Sequence, residues 1–183
     1  MTRGLAAVAV SMAATIAVPA VAEAQRYAEP GGDLAGACGS DNPCDIFRAV
    51  NNASAGDEVI ILPGDYGSAA APLSGSVASA MPNLNVHGQD GQPRPRIFLD
   101  TGNDSIGFSL TGVNTEARHF EVHHHASNGS RQAAFLLNDA EATDIVARIV
   151  SPQGKACVVL GTSLLTNSVW TFMAPPGIDR EGC

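Results

Sequence analysis

The run RHFEVHHH at positions 118–125 gathers more of the chain's chemically versatile side chains than any other stretch. In a strand that turns Phe120 and Val122 toward an apolar interior, His119, Glu121 and His123 share the outer face, because successive side chains alternate. His125 then falls near the following turn, and His87, one residue past Val86, could stand on a neighbouring strand. Imidazole nitrogens and a carboxylate are the donors that Zn²⁺ or a similar ion takes. Positions two apart along a strand lie roughly 6–7 Å apart, within reach of one shared metal. The same residues equally suit a solvated polar face, since no separate spaced ligand motif accompanies them.

Other chemistries find little support. No Gly-rich phosphate loop precedes a helix, and no GxSxG elbow is present. Ser, His and Asp all occur, but no spacing selects three of them. The 183 residues carry a net charge of −8 and a single lysine, Lys155. That balance argues against nucleic acid and anionic membranes as partners. Asn52, Asn103 and Asn128 each begin a glycosylation triplet, which matters only in a glycosylating host.

The first two dozen residues have the form of a secretory signal. Arg3 supplies a positive start, 5–18 an Ala/Val-rich core, and Ala22-Glu23-Ala24 a small-x-small cleavage site. Cleavage is expected between Ala24 and Gln25, giving a secreted, extracellular chain with no membrane span in its mature form. The apolar run is broken by Ser11, Thr15 and Pro19 and is short for a span of about 20 residues. Removing 1–24 takes away Arg3 and Glu23, so the charge stays at −8. About 160 residues remain, enough for one domain.

The elements that must position the histidines are short. Apolar segments at 84–86, 97–99, 106–110, 120–122, 135–137, 145–150, 157–160 and 169–172 are each bounded by Gly, Asn, Asp, Pro or Ser, as strands are. Leu62, Val86, Leu110, Leu136 and Leu160 follow at steps of 24, 24, 26 and 24 residues. Phe98, Val122, Val146 and Val169 follow at steps of 24, 24 and 23. Two offset series of one period are expected of a solenoid with two or more strands per turn, each rung burying its neighbour's apolar residues. The alternative is a β-sandwich, whose turns recur every ~8–12 residues. The segment 67–82 is small and polar, a loop or a partial rung, and 27–37 is expected to run irregularly along the cap.

Ahead of the rungs stands a capping device. Cys38 and Cys44 flank GSDNP, a set of turn residues, so a disulfide closes a small loop at little entropic cost. Asp45 is placed to N-cap a short helix whose stripe includes Ile46, Phe47, Ala49 and Val50. Asn51, Asn52 and Gly56 end it. So short a helix must lie on something apolar, and the run Val59, Ile60, Ile61, Leu62 is the nearest candidate. Cys157 sits in an apolar run and suits a buried position, with pairing to Cys183 left open.

The pattern Ala53-x-x-Gly56-Asp57-x-Val59-x-x-Leu62-x-Gly64-x-Tyr66, preceded by Asn42-Pro43-Cys44 and the helix, resembles the opening segment of pectate-lyase-like parallel β-helix proteins. The resemblance covers roughly thirty residues closely and the remainder by repeat pattern alone. It implies an all-β, right-handed parallel β-helix with an N-terminal capping helix: signal 1–24, cap 25–57, rungs 58–172 and an irregular tail 173–183. It further implies a secreted or cell-surface protein that touches polysaccharide or cell-surface glycan; the expectation is a non-catalytic structural or adhesive solenoid, with a polysaccharide lyase or hydrolase, or an inactive fragment of one, as the alternative. Enzymes of that group hold Ca²⁺ on clustered carboxylates beside a basic residue. The carboxylates available are Asp100, Asp104, Glu121, Asp139 and Asp144; the bases are Arg94, Arg96, Arg118, Arg131, Arg148 and Lys155. None stands in a catalytic motif of the group, and DTGND at 100–104 is first of all a turn. After Phe172 no strand pattern follows, which suggests a shortened member of a longer family or end-to-end self-association at an open edge.

Overall fold

A computed structural model of the chain describes residues 23–102, 106–125, 133–150 and 154–172. The expected signal segment, save Glu23 and Ala24, and the tail from 173 lie outside the described residues, as do Asp104 and Arg131. In order along the chain come β1 (Gln25–Asp33), α1 (Ile46–Asn51), β2 (Glu58–Ile61), β3 (Asp65–Tyr66), β4 (Leu73–Ser74), β5 (Val77–Ser79) and β6 (Asn85–Gly88). Then follow β7 (Arg96–Asp100), β8 (Ile106–His125), β9 (Ala133–Val150), β10 (Lys155–Leu160), β11 (Leu164–Thr166) and β12 (Val169–Phe172).

Among the described residues every strand pairing is parallel, and the chain winds as a β-solenoid with three faces per coil. On the first face Gln25, Glu58, Asn85, Glu116, Glu141 and Leu164 stack in register. The second stacks Asp65, Arg96, Glu121, Val146 and Val169. The third stacks Val77, Phe108, Phe135 and Cys157. Solenoid architecture and the capping helix are therefore as expected.

The rails are not. Val86 pairs with Ala117 rather than Leu110, and Phe98 with His123 rather than Val122, while Val146 and Val169 are in register as expected. First-face coils take 33, 27, 31, 25 and 23 residues from Gln25 through Glu58, Asn85, Glu116 and Glu141 to Leu164. The early coils are longer because loops at their corners carry the extra residues, so a single period holds only late in the chain. β1 also differs from the irregular path expected there, since it already stacks on β2. The small segment after Tyr66 supplies a partial rung through β4 and β5.

The corners explain why β8 and β9 run so long without lying straight. Gly56, Asn83, Asn114 and Asp139 each precede their coil's first-face register residue by two positions, and all have positive φ, between 56° and 84°. His119, Asp144 and Asn167 stand likewise before the second face, with φ of 60°, 56° and 47°. This left-handed conformation costs most residues about 1–2 kcal/mol and is open mainly to Gly, Asn, Asp and His. Those residue types mark where the chain turns.

Between the corners, alternation fills the interior. Phe108, Phe120 and Phe135 are fully buried, with ring centroids 5.0 to 5.9 Å apart, spacings at which aromatic pairs attract. At the N-terminal end Asp45 accepts a hydrogen bond from the Arg48 amide at 2.6 Å, and Ile46, Ala49 and Val50 are buried. Phe47 is half-buried against the same core. Arg26 of β1 donates to the carbonyls of Arg48 and Ala49, both at 2.9 Å, so a cation meets the unpaired oxygens of the last helical turn. Cys38 and Cys44 are disulfide-bonded. Tyr66, buried, donates to the Ala28 carbonyl at 2.7 Å and ties the cap to the first coils.

Candidate functional site

The corner ahead of the second face carries a recess of about 230 Å³ lined by Asp90, Gly91, Arg118, His119, Thr143 and Asp144. The loop after β6 forms one wall. Gly88 starts that loop where a Cβ would stand 2.1 Å from the His119 carbonyl oxygen, so no larger residue fits beneath the next coil. A turn closed by Gln92 N–H to the Gln89 carbonyl then carries Asp90 out to Arg118.

His119 is the centre of the recess. Its Nδ1 donates to Asp144 Oδ2 at 2.7 Å and its Nε2 to the Gln92 carbonyl at 3.0 Å. Two acceptors on one ring favour the imidazolium, which has a donor at each nitrogen. The Gln92 carbonyl first, and then the Asp144 carboxylate, raise its pKa above the ordinary histidine value. The other oxygen of Asp144 is held by Arg94. Arg118 meanwhile grips Asp90 and holds its carboxyl below the usual range. The result is a set of half-exposed ion pairs with both donors and acceptors facing solvent.

The second face holds a different cluster. Arg148 Nε donates to Glu121 Oε1 at 2.6 Å. His123 Nε2 lies 2.7 Å from the same oxygen but out of line for a hydrogen bond, so the contact is electrostatic. The His123 ring stacks on Phe98 at 4.4 Å, and burial pushes its pKa down. Arg96 binds Asp65 through two nitrogens, at 2.7 and 2.6 Å. Glu121 and His123 thus come together as the alternation implies, while His119 turns aside at the corner toward Asp144. The physical reason is the left-handed conformation at His119, which a straight-strand reading omits.

The remaining expected residues are spread through the fold. His87 lies on the first face, its Nε2 2.9 Å from Glu58 Oε1, and the pair lowers the Glu58 pKa. His125 is half-buried opposite Asp100. Asp100 accepts from the Gly102 amide at 2.9 Å, which makes it a turn residue, and Asp139 accepts from the Thr162 amide at 3.0 Å. Lys155 is exposed at the start of β10.

Among the described residues no three His, Cys, Asp or Glu side chains gather as a metal site would need. The donors among the described residues therefore do not fit the Ca²⁺ that the resemblance implies, since that ion takes 6–8 oxygens. Nor do they assemble the Zn²⁺ triad from His119, Glu121 and His123.

Two features were not singled out from the sequence. Asp90 and Gln92 lie in a loop beside Arg94, already noted as a base, where only the fold shows what they meet. His124 is fully buried, its Nε2 2.7 Å from Thr101 Oγ1 and its Nδ1 unpartnered. Alternation counted from Phe120 and Val122 already places it inward.

No family model, curated protein or solved structure matches the chain. What fold and site define is a class: a parallel β-solenoid capped by a short helix and a disulfide loop, with ion pairs laddered along its outer corners.

Proposed function

We propose that the protein is a non-catalytic, secreted or cell-surface β-helix protein of the pectate-lyase-like type that contacts polysaccharide through the recess around His119. The observation that carries this reading is the pairing of its charged groups across coils. Arg94 and His119 share Asp144, Arg118 holds Asp90, Arg148 holds Glu121 and Arg96 holds Asp65. A lyase needs carboxylates converging on a cation with a free base beside them, whereas these carboxylates are each spoken for by a base. Paired carboxylates and guanidinium groups at a surface suit sugar hydroxyls, which both donate and accept. The Cys38–Cys44 disulfide agrees with export to an oxidising compartment.

The test uses the purified mature chain on a glycan array, and against uronate polysaccharides with Ca²⁺ at pH 8, following unsaturated product. Binding that weakens at least tenfold in Arg118→Ala, without turnover, supports the proposal. Steady product formation lost on mutation of Asp100 and Asp104 replaces it with the lyase reading, and absence of both binding and turnover removes glycan contact.

A further inference from the structure

The cap holds a second cavity, which shares no residue with the His119 recess. It lies at the end of β1, between the start of α1 and the corner that joins β3 to β4. Its volume is about 370 Å³, within the range of about 300–1,000 Å³ of small-molecule sites. The walls include Leu34, Phe47, Tyr66 and Leu73, together with the carboxylates of Glu29 and Asp45. No Lys, Arg or His among the described residues lines it. The walls are fixed by the fold itself. A Cβ at Gly32 would stand 2.3 Å from the Cys44 carbonyl oxygen, so β1 packs directly on the disulfide loop and Asp45 enters the wall straight after it. Tyr66 is locked through its hydroxyl to the carbonyls of Ala28 and Leu62, at 2.7 and 3.0 Å. A site set in advance loses little to ordering when a ligand binds.

The charge of this cavity is one-sided. Asp45 uses Oδ1 to cap α1, while its Oδ2 has no partner among the described residues, and neither has the Glu29 carboxylate. The two arginines of the cap are engaged elsewhere. Arg26 donates to the Arg48 and Ala49 carbonyls, and Arg48 Nε to the Gly36 carbonyl at 2.5 Å. The Glu29 charge is felt at the cavity wall, since after burial it is what pushes the Tyr66 phenol up. Both carboxylates are half-buried, and negative charge set beside apolar carbon without a cation is unfavourable.

We infer that this cavity is a binding site for a small organic ammonium ion with an apolar body. The ammonium group answers Glu29 and Asp45, and the body covers Leu34, Phe47 and Leu73. Leu34, at 72%, is the most exposed large apolar side chain among the described residues, so covering it removes apolar area from water. The rings of Phe47 and Tyr66 add the attraction of aromatic faces for cations. Other ligand classes fit less well. An anion meets two like charges, and a neutral apolar molecule leaves both carboxylates unpaired. A bare Ca²⁺ finds two carboxylates where it takes 6–8 oxygens, and leaves the apolar walls wet.

The experiment titrates the purified mature chain with phenethylammonium as the probe, by calorimetry and by NMR of leucine methyl and aromatic signals. The expected result is saturable binding with a Kd on the order of 1 mM or tighter, as suits so small a probe. Signal shifts should centre on Phe47 and Leu73, and phenethyl alcohol, the neutral counterpart, should bind at least tenfold more weakly. Glu29→Gln and Asp45→Asn should each weaken the amine about tenfold, the loss of a charge-assisted contact. Neither should unfold the chain, since Gln keeps the size of Glu and Asn still caps a helix. Leu34→Ser, at an exposed position, should weaken the amine and the alcohol alike. Equal affinity for amine and alcohol, shifts centred elsewhere, affinity unchanged in both charge variants, or no saturable binding would each overturn the inference. Arg118→Ala, the variant that tests glycan contact, should leave amine binding as it is, so either reading can fail alone.

Discussion

Acidification should weaken the fold through His124, and the size of that group's effect follows from its surroundings. The ring lies between Leu99 and Ile149 in the interior column, against Gly107 of the third face, with Thr101 as its one hydrogen-bond partner. Burial pushes its pKa down to about 4, against an ordinary 6.5; Asp100 opposes the shift and His125 adds to it. A folded-state pKa below the unfolded one means that the unfolded chain binds the proton more readily. Stability from this group is therefore whole above pH 6.5 and is lost as pH falls toward 4. Between pH 7.5 and 4.5 the loss comes to about 2.5 kcal/mol, at ~1.36 kcal/mol per pKa unit. Urea unfolding of wild type and His124→Leu at both pH values isolates it, since every other titrating group is common to the two proteins. The variant leaves the Thr101 hydroxyl short of a partner, so its stability at pH 7.5 can shift either way. The quantity to read is the difference in pH dependence. If both proteins lose the same stability between pH 7.5 and 4.5, the ring is not excluded from protonation and the account of its burial is wrong.

Three further outcomes are expected. Asp45→Ala should cost about 1 kcal/mol through loss of the N-cap bond, and Phe47→Ala about 2 kcal/mol, less than a fully buried ring would lose; thermal unfolding checks both. Asp144→Asn, which keeps a residue tolerant of positive φ, should lower the His119 pKa but leave it above the ordinary value, because the Gln92 carbonyl remains; NMR titration of the ring follows this, and no change would mean that the Asp144 contact is not formed. At Asn114 the usual order of Ala over Gly should invert: Asn114→Ala should cost about 1–2 kcal/mol from its left-handed backbone, and Asn114→Gly less, by chemical denaturation.

The second and third faces were legible in the sequence because their inward residues are large: Ile97, Val122, Phe120, Phe108, Phe135 and Leu137 stand out against polar neighbours. The first face was nearly silent past β6, since it turns Ala117, Ala140 and Ala142 inward and so shows no apolar run. Two rails were visible where three faces exist, and equal spacing then linked residues from different faces. The cap was legible for a local reason, as N-cap, stripe and Cys loop lie within about two dozen residues and their partners are near in the chain. The recess was not, because Asp90 and Arg118, or Arg94 and Asp144, are brought together only by stacking of coils. His119 shows the limit most clearly. Its residue type permits the corner conformation, but nothing local requires it, and a straight strand predicts a different set of neighbours.

Charge along the outer columns bears on which glycan the proposed site would take. Stacked coils place register partners about 4.8 Å apart, so the sign of each column is felt strongly by anything lying across it. On the second face opposite charges follow one another, Asp65 to Arg96 to Glu121, and largely cancel. Around the recess Asp90 and Asp144 face Arg94, Arg118 and the His119 imidazolium, again close to balance. The first face does not balance: exposed Glu116 lies directly over exposed Glu141, a like-charge pair that costs stability, and the whole chain carries −8. A polyuronate laid along these coils would meet that field with its own negative charge at every sugar. A neutral polysaccharide would not, and its hydroxyls match the mixed donors and acceptors of the recess. On the proposed reading the ligand is therefore a neutral glycan, and its binding should weaken only slightly between 50 and 500 mM salt, where attraction between net charges would be screened away.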